Sequence, residues 1–294
     1  MSPLIWIVQH ATLDHRYSVC LASMLSFALQ DIITKHLLVS GLALSQLLLV
    51  RYLFFTLFAV MIAGGLKRSL AALHSAQPML QIGRAALSIT EIIFINLSFT
   101  LMLVAKVHAI VALFPLITLV MARFILKEEL TRRRVIAVLI GLTGALIIIQ
   151  PSRAGISIDL LMPLSGAIAL ASFSILTKYL SGKDGFITHT LYMGLVGLVL
   201  ALPFGLIQWI QPTKEQSVLL IALAIMNIGS QLFYIKAMDY ADASTLQPFN
   251  YTLLLFATLA ALILLGEVPT LMTLLGGAII VIGGLIAMGR LAPK

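Results

Sequence analysis

Lys127-Glu128-Glu129-Leu130-Thr131-Arg132-Arg133-Arg134 opens an apolar stretch carrying Gly141 and Gly144, and Gly266-Glu267-Val268-Pro269-Thr270 opens another carrying Gly276, Gly277, Gly283 and Gly284. Glu128 lies as far from Gly144 as Glu267 does from Gly283, so one frame occurs twice, once with a run of arginines and once without cations. Ile33-Thr34-Lys35-His36-Leu37 is echoed in the same way by Leu176-Thr177-Lys178-Tyr179-Leu180. A hydrophobic unit that repeats while its loop charge does not is expected when two copies cross a membrane in opposite directions, a plan common among secondary transporters. The two copies are taken as residues 1–150 and 151–294.

Composition agrees with a membrane setting. Of 294 residues, 61% are hydrophobic and 10% charged, and the mean hydropathy is +1.09. Soluble domains carry about 25% charged residues. The net charge of +8 comes from cations placed in short connections between apolar runs rather than on one basic face, which argues against nucleic acid as a partner. Cys20 is the one cysteine and falls in an apolar run, so no intrachain disulfide can form. Gln9, His10, Asp14, His15 and Arg16 interrupt the first sixteen residues, which therefore read as a short lead with Trp6 at the interface rather than as a cleaved signal.

A spanning helix needs roughly 20 mostly apolar residues. Ten such runs are predicted near 18–39, 42–63, 80–101, 106–126, 135–150, 160–181, 187–210, 217–237, 244–265 and 270–288. The expected fold is an all-α membrane protein with ten transmembrane helices in two inverted five-helix repeats. With the N-terminus inside, Arg16, Lys67, Arg68, Arg84, Arg123, Lys127, Arg132, Arg133, Arg134, Lys183, Lys236, Arg290 and Lys294 share one side, against Lys106, Arg153 and Lys214 on the other. Because cytoplasmic loops retain lysine and arginine, both termini are expected in the cytoplasm.

The ten-helix plan, the turns at Lys127-Glu128 and Gly266-Glu267 and the glycine-rich helices after them resemble the drug/metabolite transporter (DMT) superfamily, EamA type. Phe27-Ala28-Leu29-Gln30-Asp31 with Lys35, Arg51-Tyr52, and Gln247-Pro248-Phe249-Asn250-Tyr251-Thr252 resemble a branch that includes riboflavin and S-adenosylmethionine carriers. The resemblance covers essentially the whole chain. It implies a substrate cavity enclosed mainly by spans 1–4 and 6–9, with spans 5 and 10 peripheral.

Ionisable groups at membrane depth are costly unless paired or hydrated, which makes each a candidate for function. Asp31 and Lys35 share one face of the first span, as a polar floor for the solute or as a self-neutralising pair. Glu91 lies mid-way along the third span. Arg51 is too deep in the second span to reach water easily and needs Asp31 or Glu91 as a partner; it can clamp a carboxylate or phosphate, or simply lock the bundle. In the second half Asn227, Gln231 and Tyr234, and Gln247, Asn250 and Tyr251 beside Pro248, can bond a polar solute or act as interhelical glue. Pro115 reads as a kink. Glu128 and Glu267 are expected to complement helix starts, and the glycines to pack helices or support self-association.

No GxxxxGK[ST] loop, HExxH motif or Gly-x-Ser-x-Gly turn is present, and His10, His15, His36, His74, His108 and His189 form no ligand spacing. No ATP coupling, metal, cofactor or enzymatic reaction is expected. The expected activity is secondary transport of a small polar metabolite across the bacterial inner (cytoplasmic) membrane. An amino acid or zwitterionic derivative fits best, because Asp31, Glu91, Lys35 and Arg51 supply both charge signs; the family resemblance, and no residue of the chain, makes export the expected direction. Two alternatives remain open: import of a larger vitamin or nucleoside-like compound such as riboflavin or S-adenosylmethionine, which stacking aromatics in the cavity would indicate, and a non-transporting scaffold. The expected partners are the solute and the lipid bilayer, with proton coupling and a homodimer left open.

Overall fold

The computed structural model describes residues 15–102, 104–149, 161–266, 268 and 270–287. The sites expected at Trp6, Arg153, Glu267, Pro269, Arg290 and Lys294 lie outside the described residues, as do the side chains of Arg16, Lys106 and Pro248 and the surroundings of Gly284. Among the described residues the regular structure is helical throughout: α1 His15–Val39, α2 Leu44–Ile62, α3 Leu66–Ala72, α4 Pro78–Leu101, α5 Val104–Val111, α6 Phe114–Ile125, α7 Arg132–Ile149, α8 Leu161–Leu180, α9 Phe186–Ile207, α10 Lys214–Tyr240, α11 Ala243–Asn250, α12 Thr252–Leu265 and α13 Leu271–Ala287. Among the described residues, seven segments are long and apolar enough to cross a bilayer: α1, α2, α4, α8, α9, α10 and the run Ala243–Leu265.

Local chemistry sets several helix ends. Pro78 occupies the first turn of α4, where its missing N–H costs nothing. Thr213 and Gln216 form a reciprocal capping box at the start of α10. Gly266 closes α12 in the left-handed conformation, at φ 69°.

Two predicted spans are each split into two helices. The run predicted at 106–126 breaks between α5 and α6, where Pro115 in the first turn of α6 prevents α5 from continuing. The run at 244–265 breaks at Tyr251. Ala112 and Tyr251 are as far apart in sequence as Glu128 and Glu267, so the two interruptions fall at corresponding points of the repeated frame. The short helix α3 sits in a connection that carries no spanning run.

Packing joins the two halves throughout: α1 with α10, α2 with α9, α4 with α8, and α7 with α13. Glycine sets two of these approaches. On α9, a Cβ added to Gly197 would collide with the Tyr52 ring, and one on Gly194 would lie 3.0 Å from the Thr56 Cα. Between α7 and α13, a Cβ on Gly283 would lie 3.0 Å from the Ala137 carbonyl oxygen, so these glycines meet within one chain. Large apolar side chains such as Leu57, Met61, Phe204, Ile207 and Ile263 stay exposed, as lipid-facing surface requires, while polar side chains concentrate inside.

Candidate substrate cavity

Asp31 on α1, Arg51 on α2, Glu91 on α4 and Gln231 on α10 line one cavity at the centre of the bundle. Its volume is about 40 Å3, room for a few waters. Its walls are otherwise largely apolar and include four aromatic rings, Phe27, Phe114, Phe173 and Tyr234. Burial excludes water from most of these groups, so their pairing decides what the site can do.

The Arg51 guanidinium is fully buried and donates from Nη2 to Asn227 Oδ1 at 3.0 Å, while its Nε finds no partner. Asn227 is thus the amide that fixes Arg51 from across the bundle. Arg51 faces the same space as both expected carboxylates, which is where a solute carboxylate could take up its free donor. Gln231 Oε1 and Asn96 Oδ1 are also buried, unpaired and on the cavity wall. The Tyr234 hydroxyl pairs with Ser174 Oγ, which fixes that ring between Phe27 and Phe173.

Other expected residues sit elsewhere. Lys35 lies one turn along α1 from Asp31 and is absent from the cavity lining, whereas Lys178, its counterpart in the repeat, donates to the Met238 and Ala241 carbonyls at 3.2 and 2.9 Å. Gln247 donates to the Ala243 carbonyl and accepts from Asn250 Nδ2, a bond set internal to α11. Asn250 and Tyr251 line a second, smaller void of about 10 Å3 at the meeting of the two helix breaks. The Tyr251 hydroxyl is buried without a partner, and its ring occupies space that only a glycine at 141 leaves open.

Three features were not expected. His108, on α5, lines both voids and places Nε2 3.3 Å from Asp31 Oδ2. His108 is the third residue of the run predicted at 106–126, too near its end to stand out in the sequence, and packing of α5 into the bundle brings it to the cavity. Arg84, counted among the loop cations, is fully buried at the start of α4; it donates to Gln81 Oε1 and the His189 carbonyl and lies 5.7 Å from the Phe173 ring centre. Glu128 accepts from the Ala243 and Ser244 amides at 3.1 and 3.0 Å, so it caps α11 in the other half rather than the helix that follows it.

Comparison with known proteins decides the family. The EamA-like transporter family model matches residues 17–150 and again 157–289. The chain belongs to the EamA-like transporter family. It is therefore a multi-pass membrane protein of a transporter family, with a small-molecule substrate. It is 24% identical over 261 residues to the S-adenosylmethionine uptake transporter of Rickettsia prowazekii, covering 89% of this chain and 88% of that one. The riboflavin transporter of Vibrio cholerae is 34% identical over 173 residues, 57% of each chain. The pseudopaline exporter CntI of Pseudomonas aeruginosa is 25% identical over 178 residues, 60% of this chain and 62% of that one. A solved crystal structure, 20% identical, superposes with a TM-score of 0.67 over 90% of this chain and 96% of its own, a likeness of fold.

Proposed function

We propose that this protein takes up a zwitterionic amino-acid derivative bearing an aromatic heterocycle, with S-adenosylmethionine as the leading candidate, across a bacterial inner membrane. The carrying observation is the cavity wall: two carboxylates, Asp31 and Glu91, one guanidinium, Arg51, and four aromatic rings. A solute with a carboxylate, an ammonium and a second positive centre matches this charge set, because Arg51 can take the carboxylate and the two acids the cations. The rings supply stacking faces for its base. Uptake replaces export as the preferred direction, because the Rickettsia relatives that span 89% of the chain are named as uptake transporters. Riboflavin satisfies the aromatic faces and leaves the ion set unmatched.

The working topology keeps ten spans, with α5–α6 and α11–α12 each counted as one. They form two inverted five-helix repeats, 1–150 and 151–294, with both termini in the cytoplasm. Its support is the charge distribution: Lys67, Arg68, Lys127, Arg132, Arg133, Arg134, Lys183 and Lys236 fall in connections at one end or beside them. Reconstituted vesicles offered labelled S-adenosylmethionine and labelled riboflavin separately provide the test. Saturable S-adenosylmethionine uptake, insensitive to excess riboflavin, is expected. Riboflavin uptake alone would move the assignment to the flavin, and uptake of neither would remove it.

A further inference from the structure

His108 is buried, 3% exposed, on the short helix α5 beside the break at Ala112–Leu113. Its Nε2 approaches Asp31 Oδ2 at 3.3 Å off the axis of a good hydrogen bond, and neither ring nitrogen has an aligned partner. A buried imidazole without a partner at either nitrogen is costly, and a structure that keeps one beside a carboxylate at a helix break offers it to something that arrives. The ring faces two spaces: the central cavity on one side, and on the other the void of about 10 Å3 shared with Asn250 and Tyr251, enough for one water. Histidine is the side chain whose ordinary titration lies nearest neutral pH.

We infer that His108, paired with Asp31, binds the proton that drives this carrier, and that proton and solute load together. The inference rests on the transport reading above. The protonated ring carries two donors: Nε2–H faces the Asp31 carboxylate, and Nδ1–H becomes available to a solute carboxylate or a bridging water. The proton is taken from water in the open cavity and returned to water on the other side; no bond other than N–H or O–H is made or broken. The ionisable groups that share the two voids with the ring are Asp31 from α1, which lies 3.3 Å from it, Arg51 from α2, Glu91 from α4, Tyr234 from α10 and Tyr251 between α11 and α12, while α7 and α8 supply none to either lining. Because α5 ends at a break, a change in its pairing with Asp31 can tilt that short helix without distorting α6.

The test uses the full chain in vesicles, with S-adenosylmethionine as the probe. Wild type is expected to accumulate the probe several-fold above equilibration when the outside is acidic, and to lose this with a protonophore. His108→Gln is expected to lose accumulation altogether, and whatever exchange of the probe it retains is expected to be independent of outside pH. Gradient-driven accumulation by His108→Gln, a variant exchange rate that still rises with outside acidity, or accumulation driven by an acidic interior would each overturn the inference, and where the variant carries nothing the imidazole signal decides. A second measurement needs no solute: the 15N imidazole signal missing from His108→Gln should respond to outside pH and to Asp31→Asn. A silent signal overturns the inference even if transport is confirmed, and a titrating one with no exchange of the probe by wild type removes the transport assignment instead.

Discussion

A guanidinium held at membrane depth by one amide leaves donors for a ligand, and this is how Arg51 differs from Arg84. Arg84 is saturated by Gln81, the His189 carbonyl and the Phe173 ring, which makes it structural. Arg51 has Asn227 and an idle Nε. Asn227→Ala should therefore misorient Arg51 without removing its charge, at a cost of about 1.5–3 kcal/mol for a charge-assisted bond. That is roughly a ten- to hundredfold rise in the solute concentration for half-maximal uptake, at unchanged membrane abundance; normal uptake by the variant would show that Arg51 does not meet the solute. Asp184 makes a different prediction. Partial burial pushes its carboxyl up, but hydrogen bonds from Gln81, Ser75 and the Ala76 amide outweigh this and hold it below the usual carboxylate value. A lowered folded value stabilises the protein at all pH above the ordinary one, about 3.9, and the benefit fades as pH falls through the folded value. Asp184→Asn should then unfold earlier than wild type on heating by a constant margin from pH 5 to 8, and the margin should shrink below about pH 4. A margin that varied between pH 5 and 8 would assign the effect to another group.

At the scale of the helix, what the sequence showed and what it hid have distinct physical causes. Long apolar runs announce spans, because lipid demands them, and α2, α4, α8 and α9 begin and end within a few residues of their predicted limits. The breaks at Ala112–Leu113 and Tyr251 were hidden, because hydropathy continues across them and a proline marks only that a kink is allowed. The same limit applies to the cavity. Asp31, Arg51, Glu91, Gln231 and Tyr234 stood out as polar groups in apolar runs and do line it. Gln247 looked identical in sequence and is satisfied within its own helix. Which face of a helix points inward is decided by tertiary packing, and that is not written in the run itself. Glu128 shows the same: its position after α6 suggested a local role, yet folding brings it to the first amides of α11. Removing those two acceptors by Glu128→Ala should lower stability by about 1–2 kcal/mol, seen as a lower unfolding temperature in detergent. Glu128→Gln should recover part of the loss, since one amide oxygen can still accept. No loss in Glu128→Ala would mean the cap contributes nothing to holding α11.

For the whole molecule the decisive quantity is the cavity's size. About 40 Å3 admits water and no metabolite, whereas sites for molecules of that size run to roughly 300–1,000 Å3. On the proposed reading of this cavity as the solute site, the halves have to separate before a solute enters, and the bonds between them mark where. At the cation-rich end Ser75 and Gln81 reach Asp184, Thr188 reaches the Ala72 carbonyl, and Glu128 and Arg134 reach the start of α11. At the opposite end Ser45 reaches Gln208, Gln46 brackets Ile210, and Gln216 reaches Ser40. Each set joins the first half to the second, so opening either end means breaking one set while the other holds, the geometry of rocking about a central site. A short thiol cross-linker joining Ser75→Cys to Asp184→Cys should stop uptake, and so should one joining Ser45→Cys to Gln208→Cys, with the uncross-linked double variants still active. Each block traps a different end, so the first should leave the cavity reachable by a thiol-independent probe only from the Gln208 side, and the second only from the Asp184 side. Full uptake with either link quantitatively formed would mean that solute passes without separation of the halves, and the packing of α4 on α8 and of α2 on α9 would then have to be read as a fixed wall instead of a moving one.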